Sequence, residues 1–160
     1  PKMLRRRKQR QRIALENTLK AVFHLSESSQ FKDRVFEIGR LATERNATLH
    51  ETESEIRNLV KADMASRLGS RNGPEMSGQA QFELTKSGWY RACEIVRNHR
   101  LWELYLTNAA QYPTDHVHDD AEDIEHHLGE ELVHRIEERL ENPIHDPHGK
   151  LIPNRESIKL

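Results

Sequence analysis

A single cysteine, Cys93, occurs in 160 residues. That excludes a disulfide framework and a zinc knuckle, and it fits a reducing compartment. No run of 18 apolar residues is present, so nothing in the sequence reads as a membrane span. No secretory signal peptide is visible either. A net charge of −1 supplies no bulk basic field of the kind that announces nucleic acid. Internal repeats and low-complexity tracts are absent. No nucleophile constellation is convincing, because Cys93 falls on an apolar helix face and reads as packing. The chain is not expected to be an enzyme or to take a small-molecule substrate.

What is present is charge. Hydrophobic residues make up 35% and charged residues 32%, which implies a modest core and helices that complete their burial in a homodimer. The charge is uneven: positions 5–12 read RRRKQRQR, whereas 119–141 is rich in Asp and Glu. The chain begins at Pro1 rather than Met, so it reads as trimmed or as a piece of something longer. A basic cluster there fits the stretch that follows a last membrane helix on the cytoplasmic side. It fits a solvated basic arm equally well, and residues 1–12 are set apart as arm or juxtamembrane linker.

Apolar spacing of three and four predicts a helix over 13–25 (Ile13, Leu15, Leu19, Val22, Phe23, Leu25), broken by "SESSQ". A second helix is predicted through Phe31, Val35, Ile38, Leu41 and Ala42, ending at Arg45–Ala47. Thr48 stands three residues before Glu51, a capping-box spacing that starts a third helix. Its buried stripe is predicted as Leu49, Thr52, Ile56, Leu59 and Val60. Turn residues Gly69, Asn72, Gly73, Pro74 and Gly78 then divide two short β-compatible runs, a two-stranded hairpin with a long tip at 69–79. Three short helices and a hairpin is the order of a winged helix-turn-helix, whose third helix enters the DNA major groove. A long helix follows from Ser87 to about Gln111. A last one runs from Asp119 to Glu141 with Ala121, Ile124, Leu128, Leu132, Ile136 and Leu140 as its stripe. "HDPHGKLIP" is a loop by composition.

Glu122, Glu125 and His126 stand at i, i+3 and i+4, on one face of the last helix. His99 and Glu103 are i and i+4 on the preceding helix, and His118 lies just ahead of the last one. Imidazole and carboxylate without thiolate suit Mn(II), Fe(II) or Zn(II). A solvated helix face explains either pair alone, so the residues by themselves leave both readings open. His127, His134, His145 and His148 lack helically spaced carboxylates that would complete a site and read as surface residues. His116 reads as a bystander. Asp119 and Asp120 read as favouring the helix N-terminus through its dipole.

Four segments carry a resemblance: "LTKSGWYRA" (Leu84–Ala92), "RNHRLWELYL" (Arg97–Leu106), "VHDDAEDIEHHLGEEL" (Val117–Leu132) and "NPIHDPHGKLIP" (Asn142–Pro153). Together they resemble successive blocks of the DtxR/MntR metal-dependent repressors, strongly over 84–153 and in element order over 13–83. The resemblance implies a mostly α fold: a winged helix-turn-helix over 13–86, an all-α metal-binding and dimerisation domain over 87–153, and a tail over 154–160. No SH3-like domain follows, as in the shorter, manganese-type members.

The resemblance also implies a metal set of His99, Glu103, His118, Glu122, Glu125 and His126. Within it, Glu122 stands where iron-type members have cysteine, which points toward manganese. Mn(II) or Fe(II) is the implied ion, with Zn(II) as an alternative. Two departures matter. Where manganese-type members carry an Asp and a Glu on the first helix, Asn17 and Lys20 stand here. The face of the implied recognition helix carries His50, Glu51, Glu53, Ser54, Glu55, Arg57 and Asn58, and its three glutamates oppose phosphate. Ser54, Arg57 and Asn58 remain candidates for DNA contact.

The expectation is a cytoplasmic, homodimeric metal-sensing domain with weakened operator binding. It resembles domains fused behind metal ABC-transporter permeases, tethered at the inner membrane. A free-standing metal-dependent repressor is the alternative, and a dimerisation module that has lost its metal is a third reading.

Overall fold

A computed structural model describes residues 2–69, 78–109 and 130–154. Contacts divide the chain into a unit of residues 1–92 and a unit of residues 93–159.

The first unit opens with α1, Lys2–Ser28. The helix predicted from residue 13 therefore continues back through the basic segment. Arg, Lys, Gln, Met and Leu are all good helix formers, and extending an anchored helix avoids the cost of nucleation. From Leu19 onward α1 buries Leu19, Val22, Phe23 and Leu25. It stops where predicted: Ser28 and Ser29 turn their hydroxyls onto the carbonyls of Leu25 and Ser26, and Gln30 and Phe31 take φ of 56° and 60°.

The second predicted helix is shorter than its periodicity suggested. Val35–Glu37 forms a strand, β1, and only Ile38–Arg45 is helix, α2. The spacing of Val35, Ile38 and Leu41 imitates a helix face, but only Ile38 and Leu41 are buried and Val35 is 41% exposed. What wins is cross-strand pairing. β2 (Ala65–Leu68) and β3 (Gln81–Leu84) form the predicted hairpin, and β1 adds to the other edge of β3. Phe36 lies opposite Phe82 in that register. Both are fully buried with ring centroids 6.0 Å apart, a cross-strand pair that stabilises the sheet. The sheet thus has three strands in the order β1-β3-β2 rather than two.

Asn46 ends α2 in the left-handed conformation at φ 50°, which its short polar side chain tolerates. Thr48 then starts α3, Leu49–Lys61, with the predicted capping box complete: Thr48 accepts from the Glu51 amide and Glu51 accepts from the Thr48 amide. Thr52, Ile56 and Leu59 are buried as expected, while Leu49 and Val60 at the stripe's margins stay partly exposed. The three helices pack on one another, and with the sheet they make the winged helix-turn-helix.

Helix α4, Lys86–Ala109, begins in the first unit and continues into the second. Thr85 caps it, accepting from the Gly88 amide at 3.1 Å while donating to the Asp63 carbonyl at 2.7 Å. Gly88 is required here: a Cβ on it would lie 1.9 Å from the Met64 carbonyl oxygen.

In the second unit, α4 packs against α5, Glu130–Arg139, the described part of the predicted last helix. Leu101 clusters with Val133 and Ile152, and Trp102 with Leu106 and Ile136. Ile136 is buried as predicted. Leu132 is 38% exposed, and Val133, outside the predicted stripe, takes the buried place. Cys93 is buried, in keeping with a packing role. The loop after α5 folds on Asp146, whose carboxylate accepts the amides of His148 and Lys150 at 2.9 and 2.8 Å. His134, His145 and His148 are exposed, as expected.

Candidate metal centre and recognition face

Five successive residues of α4, His99 to Glu103, are buried, and three of them are ionisable. Removing such groups from water costs several kcal/mol each unless partners replace the lost hydration. The sequence supplies those partners at two scales. The i, i+4 spacing stacks His99 beneath Glu103, and their Nε2 and Oε1 atoms meet at 3.0 Å. Arg100 leaves the helix on another side. It donates to the Leu151 carbonyl and stands 3.8 Å from the Asp146 carboxylate. On the remaining faces Leu101 and Trp102 enter the two apolar clusters.

His99 and Glu103 are thus brought together in a buried, mixed nitrogen and oxygen pair. Two ligands bonded at about 2.1 Å to an octahedral ion are separated by roughly 3.0 Å along an edge, so the observed spacing suits adjacent ligands of one small divalent ion as well as a hydrogen bond. The other four residues of the predicted set, His118, Glu122, Glu125 and His126, lie outside the described residues. So do His116, Asp119, Asp120 and His127. Among the described residues no group of three or more histidine, cysteine or acidic side chains comes together.

On α1, the positions expected to carry carboxylates have a different chemistry. Asn17 is half-buried, and its Oδ1 is buried with no hydrogen-bond partner among the described residues. Lys20 is buried to 8% exposure. Glu16 beside them is also buried and paired with Arg12 at 3.5 Å and Arg91 at 2.8 Å.

The recognition face departs from its sequence reading in one respect. All three glutamates of α3 are engaged within the fold. Glu51 closes the capping box. Hydrogen bonds from the Thr48 amide and hydroxyl, with lesser help from the charges of His50 and Arg45, hold its carboxyl below the ordinary value. Glu53 pairs with Arg67 of β2 at 2.6 Å. Glu55 turns toward α1 and α2, where it pairs with Arg45 and accepts from Thr18 at 3.1 Å. Burial lowers the Arg45 pKa, opposed by the charge of Glu51. Ser54 is half-buried, and His50, Arg57, Asn58 and Lys61 are exposed. The face is therefore less anionic than its composition implies.

Arg100 and Asp146 are the buried pair that periodicity did not single out. The turn residues of "DPHG" announce a loop with Gly149 at positive φ. Only tertiary structure joins its carboxylate to an arginine so far back in the chain.

Comparison with known proteins finds related sequences and folds. Residues 85–154 match the iron dependent repressor, metal binding and dimerisation domain. The chain is 39% identical over 85 residues to a probable metal transport system membrane protein of Chlamydia trachomatis, covering 53% of this chain and 19% of that protein. It is 31% identical over 121 residues to the iron-dependent repressor IdeR of Mycobacterium tuberculosis, covering 66% of this chain and 52% of the repressor. Among solved structures, a manganese-dependent transcriptional repressor in complex with manganese superposes with a TM-score of 0.68 at 29% identity, over 89% of this chain and 59% of that one. The manganese regulator SloR superposes with a TM-score of 0.66 at 28% identity, over 88% and 60%. The chain therefore spans about half of the repressor and about a fifth of the chlamydial membrane protein.

Proposed function

The chain belongs to the DtxR/MntR family of metal-dependent repressors, and on that premise we propose that it is a homodimeric, divalent-metal-sensing domain serving a metal-transporter permease on the cytoplasmic face of the membrane. One observation carries the sensing role: the buried pair of His99 and Glu103, two ligand atoms 3.0 Å apart. The ligand set is His99, Glu103, His118, Glu122, Glu125 and His126. Imidazole and carboxylate without thiolate suit Mn(II) or Fe(II), with Zn(II) as a competitor. A bound divalent ion would add positive charge beside the buried Glu103 carboxylate. The protein's part is to hold the ligands in place. Helix α4 fixes His99 and Glu103 one turn apart, and packing of Leu101 and Trp102 locks the helix.

Two observations support the permease setting. One is the similarity to chlamydial proteins described as metal transport system membrane proteins. The other is α1, where Asn17 and Lys20 replace the carboxylates through which metal would engage the DNA-binding unit. No helix among the described residues is long and apolar enough to cross a membrane, so on this reading the permease segments lie elsewhere in a longer protein.

The second reading is a free-standing repressor that binds operator DNA through Ser54, Arg57 and Asn58. The internal pairing of Glu53 and Glu55 favours it, since those glutamates no longer oppose phosphate.

Calorimetric titration with Mn(II) tests the site. Glu122→Ala, His126→Ala, His99→Ala and Glu103→Gln are each expected to weaken binding tenfold or more; isotherms identical to wild type in all four would remove the ligand set. Operator-type DNA binding that needs Mn(II) and disappears in Arg57→Ala would decide for the repressor. Apolar 20-residue segments encoded upstream of Pro1 would decide for the permease domain.

A further inference from the structure

Glu53 stands on α3 three residues after His50 and four before Arg57. Side chains at those separations are neighbours on a helix surface, so the helix itself places Glu53 beside the exposed Arg57. The fold brings a second guanidinium from another element: Arg67 of β2 donates from Nη1 to Glu53 Oε1 at 2.6 Å. One carboxylate is thus flanked by an arginine of the helix and an arginine of the wing. The Arg67 side chain is 38% exposed and that of Glu53 20%, and an ion pair so close to water adds only modestly to stability. The other carboxylate oxygen, Oε2, is buried with no hydrogen-bond partner among the described residues, and a buried acceptor left unmet is unfavourable. The pair is therefore a weak support for the fold. Its chemistry is that of a phosphate held between arginines, because carboxylate and phosphate offer a guanidinium the same fork of acceptor oxygens.

We propose that Glu53 is an internal phosphate mimic, which withholds Arg67 from duplex DNA and keeps the affinity of this face low. The inference rests on the repressor reading, in which Ser54, Arg57 and Asn58 meet DNA, and it names the residue that weakens that contact. DNA arriving at α3 has two choices. It leaves the Glu53–Arg67 pair intact and forgoes one cation, or it breaks the pair and leaves a carboxylate among its phosphates. Either course lowers affinity, since binding rests largely on cationic contacts to phosphate. Glu55 differs in this respect. Its partner Arg45 is 17% exposed and turned toward α1 and α2, so releasing it offers DNA no cation.

Fluorescence anisotropy of the 160-residue chain with a labelled mixed-sequence DNA duplex, in Mn(II) and across a salt series, tests it. Glu53→Gln and Glu53→Ser should each bind roughly tenfold tighter than wild type, with a salt slope steeper by about one, the mark of one added phosphate contact. Adding Arg67→Gln to either should remove the gain. Glu55→Gln takes the same charge from the same helix and should leave the salt slope unchanged. Both Glu53 variants should melt within a few degrees of wild type. Wild type that binds, with Glu53 variants that bind no tighter, would overturn the mimic and leave the repressor reading standing. A gain that survives Arg67→Gln, or that Glu55→Gln reproduces with the same slope, would trace it to net charge and overturn the proposal too. Loss of cooperative melting in both Glu53 variants would show that the pair supports the fold, which also refutes it. No binding by wild type or any variant would remove the proposal together with the reading beneath it.

Discussion

Gly88→Ala should be among the most damaging single substitutions in the first unit, although by helix propensity alone it should help. Replacing glycine by alanine inside a helix stabilises it by about 1 kcal/mol. At Gly88 the new Cβ would lie 1.9 Å from the Met64 carbonyl oxygen and 2.9 Å from its carbon. Both are backbone atoms, so no side chain can swing away, and the two segments must part by about 1 Å. That displacement strains the Thr85 amide bond to the Met64 carbonyl, at 3.0 Å, and the Thr85 hydroxyl bond to the Asp63 carbonyl, at 2.7 Å. Each such bond contributes about 1 kcal/mol, and overpacking adds roughly 1–3 kcal/mol. Net of propensity, the loss comes to roughly 2–4 kcal/mol, or a fall in melting temperature on the order of 10 °C. Gly78→Ala is the control, since a Cβ there meets only the Leu49 methyl groups at 3.8 Å. Thermal unfolding followed by circular dichroism distinguishes the two. A Gly88→Ala protein melting at or above wild type would refute the steric argument.

Four further outcomes follow from the structure. Thr48→Ala removes the α3 cap and should cost about 1 kcal/mol in urea unfolding, with Thr48→Ser largely restoring it. The folded Glu51 carboxyl is held below its ordinary 4.5, so its stabilising effect is present above that value and lost as pH falls through the folded one. Stability curves of wild type and Glu51→Ala should therefore converge on acidification, whereas a constant gap would contradict the assignment. Asp146→Ala leaves Arg100 buried with one fewer partner and frees two backbone amides, and should cost roughly 3 kcal/mol in chemical denaturation. Glu55→Gln should destabilise the first unit by about 1–2 kcal/mol, because burial leaves Arg45 dependent on its partner.

Much of this fold is readable from local signals. The Thr48–Glu51 spacing announced α3 because a capping box is a contact between residues three apart, which sequence displays directly. The turn residues at 69–78 announced the hairpin for the same reason. Strand β1 has no local signature, because it exists only by pairing with β3, far along the chain, and three residues are too few to show alternation. The glutamates of α3 illustrate the same limit. Their helical face could be computed, but not the arginines at 45 and 67 that neutralise Glu55 and Glu53. At the candidate centre, the meeting of His99 and Glu103 was legible from i, i+4 spacing. Their burial was not, since it depends on Leu101 and Trp102 finding partners on α5 and in the loop beyond it.

The pairing on α3 restricts which of its positions are free to vary. Thr52, Ile56 and Leu59 belong to the core, and Glu51, Glu53 and Glu55 are held by a cap and two arginines. Apart from Leu49 and Val60 at the margins of the apolar stripe, that leaves His50, Ser54, Arg57, Asn58 and Lys61 as the positions at which substitution can alter the polar face of the helix without unsettling the unit. On the repressor reading proposed above, diversification confined to those five would tune specificity on an unchanged scaffold. Changes at the glutamates would alter the scaffold first.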